Sequence, residues 1–235
     1  MYDANKSTWL NPNIEYLFDN EIIEYDIRDA GFTLIKQYHL LDDNKIRELE
    51  SLGKGIERHK AIGLLQRNNE FSKVLLNKFA EIRKIFISMN KLTDDRIISV
   101  KKDAIYTIGQ CDIIRFDKIE FSMKNVYSSY IRFKEINNLE LYYSSDQIDI
   151  KGMSDQSVNR HRLYMLDFLR KIILGIENKD SSTKRILKGF IREYKHMDLE
   201  DEYYLEFNNS SRAINPSYNY MHILVPLVHI VNREL

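Results

Sequence analysis

Apolar and polar positions alternate with two different periods along this chain, and each change of period marks a new element. Near the start, Ile22-Ile23-Glu24-Tyr25-Asp26-Ile27 is an apolar, β-branched run that reads as a strand. Ala30, Thr33, Leu34, Gln37 and Tyr38 follow at helical spacing, so the strand passes directly into a helix ending near His39. Asp42-Asp43-Asn44 supplies the N-terminus of a second helix carrying Ile46, Leu49 and Leu52, and Gly53-Lys54-Gly55 stops it. Residues 56–91 are strongly helical. Phe71, Val74, Leu75, Phe79, Ile82, Ile85, Phe86 and Met89 make one stripe on a helix of about five turns. The intervening Lys73, Lys78, Arg83 and Lys84 read as a solvated outer face. The sharper alternative is that a few of them, or Arg58, Lys60 and Arg67 just upstream, meet phosphate.

From Arg96 to about Ile150 the period becomes two. Strands are predicted at Ile97–Val100, Ala104–Ile108, Ile113–Phe116, Ile119–Phe121, Val126–Phe133, Leu139–Tyr143 and Gln147–Ile150, joined by short polar turns as in an antiparallel meander. Lys101-Lys102-Asp103 reads as a hairpin turn. After Lys151-Gly152 the helical period returns, first with Val158, Met165, Leu166, Leu169, Ile172 and Ile173, then with Ile186, Leu187, Phe190 and Ile191. The end is mixed: Tyr203–Phe207, a polar Asn208-Asn209-Ser210-Ser211 turn, and an apolar tail from Met221 to Val231 that contains Pro226. This order of elements is that of an α+β protein, a small antiparallel sheet with helices packed on it.

Composition narrows the chemistry. The chain has 235 residues, 43% of them hydrophobic, enough for a substantial core, and 35 basic against 35 acidic side chains leave no global attraction for nucleic acid or a membrane. Any such binding must come from a local patch. One cysteine, Cys111, excludes an internal disulfide, and the lack of a long apolar run or leader pattern suggests a soluble protein of a reducing, cytoplasmic compartment. The phosphate-cradling glycine loops, the Gly-x-Ser-x-Gly elbow and paired cysteines are all missing. The six histidines are scattered without a pair at spacing four.

Two aspartates at strand ends remain, Asp26 and Asp103. If their strands pair, the carboxylates face each other. Phosphoryl transfer from a nucleoside triphosphate requires charge stabilisation at the attacking hydroxyl, the phosphorus centre and the leaving pyrophosphate, and two metal ions held by bridging carboxylates can supply it. Magnesium keeps waters and substrate phosphates as its other ligands, so few protein groups are needed.

Three segments in order resemble family B DNA polymerases. Asp26-Ile27-Arg28-Asp29-Ala30-Gly31-Phe32-Thr33-Leu34-Ile35 resembles the first palm motif of that family, and Lys102-Asp103-Ala104-Ile105 resembles the end of its Asp-Thr-Asp-Ser motif. Ile148-Asp149-Ile150-Lys151-Gly152-Met153, followed by Arg160, Arg162 and a helix, is similar to its Lys-Gly passage from palm to thumb. The resemblance implies Asp26 and Asp103 as catalytic ligands of Mg²⁺ or Mn²⁺. It also implies nucleotide contacts at Gly31, Lys60, Arg67 and Lys73, and nucleic-acid contacts at Lys151, Arg160 and Arg162. Arg132, interleaved with strand aromatics Tyr127, Tyr130, Phe133, Tyr142 and Tyr143, joins the nucleic-acid set, although an ordinary sheet core explains those aromatics equally well. Lys101 stands where the family has the first aspartate of its pair. Gly31 stands where the family places a tyrosine beneath the sugar, which implies weak discrimination against ribonucleotides.

On this reading residues 1–39 are a lead-in and first palm strand and helix, 40–91 a short fingers-like insertion, 92–152 the palm sheet and 153–235 a thumb-like helical part. The implied protein is a minimal, phage-type, template-directed nucleotidyltransferase, a DNA polymerase or primase-like enzyme. Its partners would be nucleic acid and nucleoside triphosphates, with a protein partner or oligomer completing missing parts, and no membrane. The alternative is a palm-like module that has lost catalysis and binds nucleic acid or protein.

Overall fold

In the computed structural model the described residues are 2, 6–208 and 217–235. The expected polar turn from Asn209 to Ser211 lies outside them. In chain order come β1 (Trp9–Leu10), β2 (Tyr16–Leu17), β3 (Ile22–Ile27), α1 (Ala30–Gln37), α2 (Asp43–Ser51), α3 (Ile56–Leu65) and α4 (Asn69–Met89). The strands β4 (Ile97–Val100), β5 (Ala104–Ile108), β6 (Arg115–Phe116), β7 (Ile119–Tyr127), β8 (Ser129–Phe133), β9 (Leu139–Tyr143) and β10 (Ile148–Lys151) follow. The chain ends with α5 (Asp155–Glu177), α6 (Ser182–His196), a short pair β11 (Phe207–Asn208) and β12 (Ser217–Tyr218), and α7 (Met221–Glu234). The protein is α+β. Among the described residues no helix is long and apolar enough to cross a membrane.

Two compact units divide the chain: Met1–Ile14 with Glu21–Val126, and Glu15–Asn20 with Tyr127–Leu235. The strand-rich stretch read as one meander therefore supplies two sheets. In the first unit the strand order is β1-β4-β5-β3-β7-β6. Ile23, Tyr25 and Ile27 of β3, Val100 of β4 and Ile105 of β5 share one face and form a core with Leu34, Ile35, Leu49, Leu75, Phe79, Ile82 and Phe86 of the helices. Period-two alternation sends Glu24 and Asp26 to the opposite face.

The helices start and stop for local reasons. The Asp42 side chain accepts from the Lys45 amide at 2.9 Å and opens α2. The Asn68 side chain accepts from the amides of Glu70 and Phe71 at 2.9 and 3.2 Å, which begins α4 afresh and splits the helical stretch 56–91 in two. Arg83 departs from the expected solvated face. Its side chain is 1% exposed, because at four residues past Phe79 and three before Phe86 it lies on the buried stripe itself.

In the second unit the order is β10-β9-β8-β2. Ile131, Phe133, Leu139, Leu141 and Tyr143 pack with Met165, Leu169, Ile172 and Ile173 of α5, Leu187 of α6 and Ile223, Leu224, Leu227, Ile230 and Val231 of α7. Tyr127, Tyr130, Phe133, Tyr142 and Tyr143 are all buried, so none is an open platform for bases. The core alternative for these aromatics is the one realised. Lys151-Gly152 turns the chain from β10 into α5. Gly152 has φ +93°, and a Cβ there would lie 3.4 Å from the Asn138 carbonyl oxygen and the Leu139 Cα, so this turn is shaped for glycine.

Candidate carboxylate site

β3 and β5 pair antiparallel with Asp26 opposite Ala104, the residue after Asp103. β4 and β5 form the expected hairpin, closed where the Lys101 amide donates to the Ala104 carbonyl at 2.8 Å. Two carboxylates distant in sequence are thereby brought to one end of one sheet. Asp103 is half-buried in the turn, and the Asp26 side chain is 21% exposed.

The turn carrying Asp103 is held from below. Arg83 donates from Nη1 to the Lys102 carbonyl, from Nη2 to the Lys6 carbonyl at 3.0 Å and from Nε to the Tyr2 hydroxyl at 3.2 Å. A buried guanidinium with several fixed acceptors is a rigid anchor. Lys102 lies over the Phe79 ring, its Nζ 5.3 Å from the centroid. It points its ammonium at Gln66 Oε1, 3.5 Å away.

β7 completes the site on the other side of β3. Ser122 Oγ donates to the Asp26 carbonyl at 3.1 Å. Two residues on, and so on the same face, Lys124 Nζ donates to Asp26 Oδ2 at 3.0 Å and lies 3.4 Å from Glu24 Oε1. Asn125 Nδ2 donates to Glu24 Oε2 at 2.6 Å. Asp26 Oδ1 is buried and has no hydrogen-bond partner.

Burial raises the Asp26 pKa above the ordinary carboxylate value, and the charges of Asp103 and Glu24 raise it further against the opposing Lys124 bond. Burial works to lower the Lys124 pKa, but the Asp26 and Glu24 carboxylates outweigh it and raise it. Asp26 Oδ1, with Asp103 at the same end of the sheet, is the donor set from which a cation site would be drawn. It is sparse. Among the described residues no three His, Cys, Asp or Glu side chains form a metal-holding group.

The other expected site residues divide by location. Gly31 is the second residue of α1, and the nearest atoms to a Cβ built there are the Ile62 methyl groups at 3.5 and 3.7 Å, so this position packs toward α3. Lys60 is exposed and pairs with Glu57 at 2.9 Å, and Arg67 and Lys73 are exposed. Arg58, weighed as a phosphate contact, is instead 5% exposed. It bridges Asp29 at 2.7 Å and the Leu49 carbonyl at 2.9 Å, with its guanidinium 4.1 Å from the Phe32 ring centre.

In the second unit, Arg132 and Lys151 fall in one cross-strand row, each opposite Glu140 of β9. Arg132 is 7% exposed, and Glu140 lies between the two cations. Arg160 and Arg162 are exposed on α5. Glu24, Lys124 and Arg83 went unrecognised as parts of the site. A signal existed for the first two, since Glu24 is two residues from Asp26 and the alternating Glu120, Ser122 and Lys124 mark a polar strand face.

A family model described as the bacteriophage PBS1 gene 130 protein matches residues 1–226 of the chain. No curated protein matches it.

Proposed function

The chain belongs to the bacteriophage PBS1 gene 130 protein family, and from that premise we propose that it is a metal-dependent nucleotidyltransferase of a phage, polymerase or primase-like, working on nucleic acid in the host cytoplasm. The observation that carries this reading is the pairing of β3 with the β4–β5 hairpin, which sets Asp26 opposite Ala104, the residue after Asp103, and leaves Asp26 Oδ1 buried without a partner. A buried, unpartnered carboxylate oxygen is costly, and a cation is the partner that removes the cost.

Mg²⁺ or Mn²⁺ bound there would supply positive charge for the transferred phosphoryl group and the departing pyrophosphate. The chain's own residues have distinct parts. Asp26 and Asp103 would hold the cation, and Arg83 fixes the turn from which Asp103 projects. Lys60, Arg67 and Lys73, exposed on or beside the α3 and α4 helices, are the groups from which triphosphate contacts would be drawn. Lys151, Arg160 and Arg162 would meet a nucleic-acid backbone, and the resemblance to family B polymerases supports that role. A glycine at position 31 favours acceptance of ribonucleotides.

One observation favours the second reading, a palm-like module without catalysis. Lys124 already pairs with Asp26 and Glu24, as in an ordinary structural ion pair. Primer-extension and de novo synthesis assays with Mg²⁺ or Mn²⁺ separate the two. Synthesis that disappears in Asp26→Ala and in Asp103→Ala supports the enzyme, and nucleic-acid binding without synthesis, unaffected by either substitution, supports the module. Offering ribo- and deoxyribonucleotides in the same assay tests the Gly31 expectation, which strict deoxy selectivity would overturn.

A further inference from the structure

α6 carries five Lys or Arg residues against one acid, Glu193, a net charge of +4 in a chain whose total is zero. Those charges are not spread around the helix. Arg185, Lys188, Arg192 and Lys195 recur at spacings of three, four and three, which sets them in one stripe about 15 Å long. All four are exposed, and none is ion-paired with a described residue. Lysines of other helices differ: Lys45, Lys60 and Lys78 each meet a glutamate three positions away, at 2.7, 2.9 and 2.6 Å. Within α6 no acid stands three or four positions from any member of the stripe.

Gly189 lies at the centre of the stripe, where it lines an open hollow with Arg185, Lys188 and Arg192. A glycine inside a helix lowers its stability, yet a Cβ built here would meet open space, so packing within the protein does not require it. Its missing side chain leaves backbone open to close approach from outside, among three cations. The opposite face of α6 is committed to the core, with Leu187 and Tyr194 buried and Phe190 stacked on Phe168 at 4.0 Å between ring centres. The partner that fits is therefore a polyanion with regularly repeated charge, met by cations alone. An anionic bilayer fits less well, because a helix lying on a membrane buries its apolar face there, and that face of α6 is inside the protein.

We propose that the outer face of α6 is a docking surface for the phosphate backbone of nucleic acid, gripped by Arg185, Lys188, Arg192 and Lys195, with Gly189 letting the backbone come close at the centre. The inference goes beyond the carboxylate site and holds whether or not that site is catalytic. Contacts of this kind position a strand without reading its sequence, and they weaken steeply as salt rises.

The test is fluorescence anisotropy of labelled single-stranded DNA, and of duplex DNA of the same length, with the full chain over a range of salt. The wild type is compared with the combination Arg185→Gln, Lys188→Gln and Arg192→Gln, and with the single change Gly189→Glu. A control removes three lysine charges that are already paired, by Lys36→Gln, Lys45→Gln and Lys78→Gln together. The α6 combination is expected to bind DNA about ten-fold or more weakly and to lower the steepness of the salt dependence by about two counter-ions. Gly189→Glu sets a carboxylate in the hollow and is expected to weaken binding about ten-fold. Glutamate favours a helix more than glycine does, so this variant decides the matter where the combination fails to fold by circular dichroism. The control is expected to bind like the wild type. DNA binding unchanged in both α6 variants overturns the α6 role and leaves the reading of the carboxylate site standing. An equal loss in the control, a wild type that binds neither DNA, or one that prefers phosphatidylserine vesicles to DNA also overturns it.

Discussion

Arg83 and Lys102 are joined by a part-buried hydrogen bond from guanidinium to carbonyl, and the residue that follows Lys102 is Asp103. The helix stripe of α4 therefore reaches the candidate site through Arg83, beside the contact of Phe79 with the Lys102 ammonium.

Replacing Arg83 with leucine would remove the buried guanidinium that donates to the part-buried Lys102 and Lys6 carbonyls. Hydrogen bonds to charged groups contribute more than neutral ones, so a loss of roughly 1.5–3 kcal/mol is expected. Urea unfolding measures it. Arg83→Lys should recover only part, because an ammonium on a flexible stem cannot fork to the carbonyls and the Tyr2 hydroxyl together.

Asp26 should make the protein less stable at neutral pH than at mildly acid pH. Its pKa is raised in the fold by burial first and by Asp103 second. Between the ordinary carboxylate value of about 4 and the raised folded value, the folded chain holds a proton that the unfolded chain has released. Stability contributed by this group is therefore greatest at the acid end and falls as pH rises through that window, and above it the full cost of a charged Asp26 is present. Asp26→Asn is expected to raise the melting temperature at pH 7.5 by roughly 2–4 °C for each kcal/mol recovered, and the gain should vanish toward pH 4. Melting curves across pH check this. A gain independent of pH would place the effect elsewhere.

Arg58 should behave as a structural residue. It is paired with Asp29 through Oδ2, while Asp29 Oδ1 has no hydrogen-bond partner, and it donates to the carbonyls of Leu49 and Glu50. Breaking a buried pair by deleting one member leaves an uncompensated charge, so Arg58→Leu is expected to cost roughly 3–5 kcal/mol. Asp29→Asn should cost less, since an amide can still accept from Arg58. Calorimetry of the two variants compares them directly.

The strand carrying Asp26 and the turn carrying Asp103 were readable because alternation and turn chemistry are local. Their adjacency was not, because the order β4-β5-β3-β7 depends on pairings between distant segments. For the same reason the polar alternation of Glu120, Ser122 and Lys124 could be read as one face of a strand without revealing that Asp26 lies beside it. Arg83 and Arg58 failed for a different reason. Both sit at helical spacing from apolar residues, Arg83 from Phe79 and Arg58 from Ile62, and charge was weighed over position. The split between α3 and α4 was also local, carried by Asn68 as a cap, and was overlooked beneath the continuous helical period.

The cations proposed for nucleic-acid contact should separate by burial. Arg160 and Arg162 are exposed on α5, where a phosphate can reach them at little desolvation cost. Arg132 is 7% exposed and stands opposite the buried Glu140, with Lys151 opposite Glu140 from the other neighbouring strand. In single-stranded DNA binding followed by fluorescence anisotropy, Arg160→Ala and Arg162→Ala are expected to weaken binding for every sequence alike. Each should reduce the steepness of the salt dependence by about one counter-ion. Arg132→Met is expected to lower the unfolding midpoint instead, because it leaves Glu140 short of a compensating charge in a buried row. Lys151→Ala, half-buried at the strand end, should show both effects in smaller measure. A loss of binding in Arg132→Met at unchanged stability would reverse this division, and equal binding by all four variants would remove α5 and the sheet row from the nucleic-acid interface.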